Sequence, residues 1–89
     1  MSEAMKKNAK ELFELILSLK TVDDCEKFFE DLCTYKELES MAQRLKSAKM
    51  ILNGNTYEQI IKETDISSAT LSRVSKCVKY GNGYKNYIK

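Results

Sequence analysis

The stretch Thr56-Tyr-Glu-Gln-Ile-Ile-Lys-Glu-Thr-Asp-Ile-Ser-Ser-Ala-Thr-Leu-Ser-Arg-Val74 decides the fold. It has the pattern of two short helices joined by a tight turn. Thr56 is placed to cap the first helix, and Gln59, three residues later, completes a capping box. Glu63-Thr64-Asp65-Ile66 breaks the pattern, and Ser67 is placed to cap the second helix. Ile60, Ile61, Ile66, Leu71 and Val74 predict a shared core, with Tyr57 facing inward and Val78 extending the inner stripe. Ile66 is the buried residue of the turn. Two helices, a short turn and a second helix that starts polar are the requirements of a helix-turn-helix.

The outer face of the second helix is left with Ser68, Ala69, Thr70, Ser72, Arg73 and Lys76. Small residues at a helix start let its backbone come close to base edges. Ser and Thr hydroxyls bond phosphates or bases, and Ala or a Thr methyl touches the thymine methyl. Arg73 suits a forked contact to guanine or phosphate. Lys76 and Lys79 suit phosphates, which position a protein without reading sequence. With Thr56, Lys62 and Ser67 at the helix starts and on the first helix, these residues form the predicted surface for double-stranded DNA. A plain helical hairpin with a solvated polar face also fits two short helices, but it does not call for the small-polar start followed by Arg73.

Working outward, the chain has no proline, and its three glycines are Gly54, Gly81 and Gly83. Few internal breakers predict an all-α protein. A first helix is predicted from Lys6 to Leu19, with Leu12, Phe13, Ile16 and Leu19 at helical spacing and Leu15 and Leu17 widening the apolar face. Thr21 is the expected cap of a second helix, with acids in its first turn. Val22, Cys25, Phe28, Phe29, Leu32 and Cys33 form its stripe. Thr34 and Glu37 predict a capping box for a long third helix reaching Leu52, lined by Leu38, Met41, Ala42, Leu45, Ala48 and Leu52. Met50 and Ile51 add a second apolar face. Gly54 is the expected left-handed stop. The predicted organisation is one domain over 1–89: core and dimerisation helices over 1–54, the helix-turn-helix over 55–80 and a short tail over 81–89.

Charge is divided along the chain. Residues 1–45 carry seven Lys/Arg and ten Asp/Glu, a net of −3, and residues 46–89 carry eight and three, a net of +5. No acid follows Asp65, while Arg73, Lys76, Lys79, Lys85 and Lys89 remain. A cationic end on a nearly neutral chain is the electrostatic form of a phosphate-binding surface. With 43% apolar and 31% charged residues, the composition is that of a soluble globular chain. No apolar run approaches the ~20 residues of a membrane span. No hydrophobic block of signal-peptide kind follows Met1–Lys7, so the expected location is the cytoplasm. Cys25, Cys33 and Cys77 form no CxxC pair and there is no histidine, so no metal site or cofactor is expected and the thiols are predicted free and mostly buried. The chain also lacks a phosphate-cradling glycine loop and any nucleophile with a recognisable base, which argues against an enzyme. The alternative to a DNA-binding regulator is a helical protein-interaction module on the same fold, docking through its acidic first half or its multi-sided long helix.

Ile66-Ser-Ser-Ala-Thr-Leu-Ser-Arg-Val74, then Lys79-Tyr-Gly-Asn-Gly-Tyr84, resembles the tryptophan-repressor superfamily, in its small YerC/YecD-type branch. The likeness extends back through Leu52-Asn53-Gly54 and Arg44 to Leu32-Cys33-Thr34. It implies a helical, intertwined homodimer acting as a DNA-binding transcriptional regulator, repressor-like in kind. In tryptophan-responsive members a threonine before the long helix, an arginine ten residues later and the recognition-helix arginine hold the corepressor. Thr34, Arg44 and Arg73 match those positions. Read from its own surroundings, Thr34 is a helix cap and Arg44 a surface or dimer-interface charge. Where the tryptophan-responsive repressor has glycine after the recognition-helix arginine, this chain has Val74, whose branched side chain takes up ligand volume and argues against tryptophan. Ile61 and Asp65 stand where many such units have a small residue and a glycine. Asp tolerates a left-handed turn better than most residues.

Overall fold

The structure, a computed structural model, describes residues 1–88, and the described residues contain helices and no strands. Helix α1 spans Glu3–Ser18, α2 Val22–Leu32, α3 Tyr35–Leu52, α4 Tyr57–Thr64, α5 Ser68–Tyr80 and α6 Tyr84–Tyr87. The chain divides into two compact units, Met1–Tyr35 and Lys36–Lys89. No described helix is long and apolar enough to cross a membrane.

In the first unit, α1 begins earlier than its apolar periodicity predicts, because Ser2 Oγ accepts from Met5 N and caps it. Thr21 Oγ1 accepts from Asp24 N at 3.0 Å and caps α2, as its sequence implies. Phe28 and Phe29 meet edge to face at 5.7 Å between centroids. The predicted apolar stripes are present, yet every residue of α1 and α2 is exposed or half-buried. Phe13 is 65% and Leu17 86% exposed.

The second unit holds the buried core. Ala48 of α3, Ile60 of α4, Ile66 of the turn, and Leu71, Val74 and Val78 of α5 come together, with Met50, Ile51, Ile61, Tyr84 and Ile88 packed against them. Full burial of a side chain such as Ile60 or Leu71 contributes about 1.5–3 kcal/mol. Tyr57, expected to face inward, is exposed. It is the first residue of α4, so its side chain stands at the helix entrance. Along α3, Ala48 and Ser47 are buried, but Met41, Leu45 and Leu52 stay exposed. The thiols are free, as expected, but not mostly buried: Cys25 and Cys33 are half-buried and Cys77 is exposed. Cys77 lies beside an apolar groove lined by Leu45, Tyr84, Tyr87 and Ile88, outside the core stripe of α5. The helical turn α6 stands where sequence patterning predicts only a tail; Lys89 of that tail lies outside the described residues.

Candidate nucleic-acid interface

Both helices of the motif start on strong caps. Gln59 N donates to Thr56 Oγ1 at 3.2 Å and Thr56 N donates to Gln59 Oε1 at 2.9 Å, a complete capping box. Ser67 Oγ accepts from Thr70 N at 3.2 Å and donates to Thr70 Oγ1 at 2.8 Å. Thr70 keeps its own hydroxyl proton for a further acceptor. Between the helices Asp65 adopts φ 62°, ψ 16°, in the left-handed region. Its N–H closes α4 by donating to Ile61 O at 2.9 Å. Gly54 has φ 86° and ends α3, and Asn55 N reaches back to Met50 O at 3.0 Å.

On α5 the branched aliphatic side chains face inward and the charged ones outward. Leu71, Val74 and Val78 are buried, whereas Ser68, Ala69, Ser72, Arg73, Lys76 and Lys79 are exposed and Thr70 is half-buried. At 3.6 residues per turn these six exposed residues share an arc of about 140° with the exposed Tyr80, and the exposed Cys77 falls outside it. Among the described residues neither Arg73 nor Lys76 takes part in an ion pair. Lys79 lies over the Tyr80 ring, 5.9 Å from its centroid. On α4, Thr56 and Lys62 are also exposed. This face of α5 thus presents cations, hydroxyls, the Ala69 methyl and the Tyr80 ring, with no carboxylate on α5.

The residues matched to a corepressor site are placed differently. Thr34 is exposed, in the link between α2 and α3. Arg44 is half-buried on α3; its Nε donates to Ser40 O at 3.4 Å, which lays the side chain along its own helix. Arg73 points outward, and Val74 beside it is 2% exposed, in the core. Two residues near the motif had no sequence signal. Gln43 of α3 donates from Nε2 to Thr64 O at 2.7 Å, and Lys46 Nζ lies 3.2 Å from Glu63 Oε1. Both partners of each pair are far apart in sequence, beyond the reach of local patterning.

Fold and surface together define a small all-helical helix-turn-helix domain with a cationic second helix. Residues 7–89 match the family of Trp repressor proteins, and the chain belongs to that family. It is 53% identical over 76 residues to the uncharacterized protein YerC of Bacillus subtilis (strain 168), covering 85% of this chain and 73% of that one. It is similar to the crystal structure of a TrpR like protein from Eubacterium eligens ATCC 27750, with TM-score 0.86 and 45% identity over 89% of this chain and 82% of that one. A further crystal structure, from Staphylococcus aureus, aligns with TM-score 0.86 and 42% identity over 96% of this chain and 89% of that one. The family is one of DNA-binding regulators rather than of enzymes.

Proposed function

We propose that the chain is a cytoplasmic, homodimeric transcriptional regulator, repressor-like in action, that reads the major groove of double-stranded DNA with α5. The observation that carries this is the exposed, acid-free face of Ser68, Ala69, Ser72, Arg73, Lys76 and Lys79, backed by the buried Leu71 and Val74. Thr56, Lys62, Ser67 and Thr70 line the approaches to the same groove. A dimer accounts for the apolar stripes of α1 and α2, which a single chain leaves uncovered. Two reading heads in one particle fit successive major grooves about 34–36 Å apart on a roughly palindromic site. The buried Val74 supports regulation without tryptophan, and leaves Thr34 and Arg44 to structural work.

Selection of bound duplexes from a random pool, followed by titration with salt, tests this reading. A shared sequence with two similar halves, and affinity that falls steeply as salt rises, is the expected result. Absence of duplex retention even at low ionic strength sinks it. That outcome favours a helical protein-interaction module docking through the uncovered faces of α1 and α2.

A further inference from the structure

A hydrogen bond spanning 21 positions of sequence joins the long helix to the motif: Gln43 Nε2 to Thr64 O, 2.7 Å, partly buried. Thr64 is the last residue of α4. Its carbonyl is one of the four that a helix C-terminus leaves without an intrahelical donor. The Thr64 hydroxyl donates to Ile60 O at 2.7 Å and accepts from Ile66 N at 3.3 Å. One residue therefore ties α3, α4 and the turn together. Immediately after it come the left-handed Asp65, the buried Ile66 and the Ser67 cap from which α5 starts. The neighbouring Lys46–Glu63 pair is more than half exposed on both sides, so it is screened and weakly directional. The Gln43 bond is short, sheltered and directional.

We propose that Gln43 is a positioning residue. Through Thr64 it fixes the angle at which α5 leaves the turn, and so sets discrimination between DNA sequences more than affinity for DNA. This rests on α5 being the reading helix. Helix α5 has 13 residues. At 1.5 Å per residue, a rotation of about 10° about the turn moves Arg73, about 9 Å from the Ser67 cap, by about 1.5 Å, half the length of a hydrogen bond, and the lysines beyond it by up to about 3 Å. Base-edge contacts do not survive such a shift, whereas lysines on flexible stems follow the phosphates.

The test compares wild type with Gln43→Glu, which keeps the length but replaces the donor with an oxygen facing Thr64 O, and with Gln43→Ala. Affinities are measured for the duplex selected from a random pool and for a random-sequence duplex of equal length, across several salt concentrations. Melting temperature and hydrogen exchange at the Asp65 and Ile66 amides are recorded alongside. The expected result is a preference ratio lowered about tenfold, the cost of about one mismatched base pair. Random-duplex affinity and salt slope stay near wild type, melting temperature falls only by the few degrees that one lost hydrogen bond costs, and both amides exchange faster. An unchanged ratio overturns the proposal. So do parallel losses of both affinities with a lowered melting temperature, which make Gln43 a stability residue only. Unchanged exchange shows that no clamp acts on the turn, and overturns it as well. A wild-type ratio of one defeats the reading of α5 itself, and is told apart because it is seen before any substitution.

Discussion

Arg73 and Val74 are adjacent in sequence and serve opposite sides of α5. Arg73 stands in solvent and Val74 is 2% exposed in the core. The 100° step of a helix makes this possible, because consecutive side chains fall on different faces. The position that resembles a corepressor contact is thus coupled to one that fills the space behind it with a branched side chain.

Arg73→Ala is expected to leave stability unchanged while weakening binding to the preferred duplex and relaxing choice at one base pair by about 1–3 kcal/mol. Lys76→Ala should lower affinity evenly across sequences and reduce the salt slope by about 1. Gel-shift series at several salt concentrations separate the two. Arg73→Ala indistinguishable from wild type would show that the reading face is misassigned.

Thr56→Ala removes half of the capping box of α4. It should cost about 1 kcal/mol. For a chain of this size that is a fall of about 4–8 °C in melting temperature. Thermal unfolding by circular dichroism checks it, and an unmoved midpoint would mean that water caps the helix as well as threonine does.

Gly81→Ala places a methyl 2.6 Å from the backbone oxygen of Cys77, an atom that cannot swing away. We expect a loss of about 1–3 kcal/mol. At Gly83 an added Cβ meets nothing within 4 Å. Gly83→Ala should therefore stay within about 0.5 kcal/mol of wild type. Equal behaviour of the two variants would contradict the close packing of the chain at the end of α5.

Ser47 is fully buried and its Oγ has no hydrogen-bond partner among the described residues. An orphaned buried hydroxyl costs about 1–3 kcal/mol. Ser47→Ala keeps the size, removes that penalty and adds helix propensity. Denaturant melts should show greater stability, and a loss would reveal a partner for the hydroxyl in the assembled protein.

If the uncovered stripes of α1 and α2 are dimer surface, melting temperature must fall on dilution, since association stabilises by mass action. Sedimentation should find a particle of twice the chain mass. A monomer with a concentration-independent midpoint would remove the dimer from the proposed function.

The motif was legible because its signals are local. Thr21, Thr56 and Ser67 each bond a backbone N–H three residues away, so cap and target lie in one short window. Ile60, Ile66, Leu71 and Val74 follow helix spacing and turn chemistry closely enough to name the core. Tyr57 misled because apolar character was read as inwardness at a helix entrance. Cys77 misled because its type is so often buried, while its place on α5 falls between the two faces. The Gln43–Thr64 bond could not be foreseen, since only the folded chain brings these residues together. The stripes of α1 and α2 announce a need for cover without naming what supplies it.

That need bears on how the molecule comes to be ordered. Helices of 16 and 11 residues are marginal in water when nothing packs on them. The segment from Lys36 onward has an interior to collapse upon, and the segment before it does not. Order in this protein is therefore uneven: α3 to α5 hold their own shape, and α1 and α2 borrow theirs from whatever covers them.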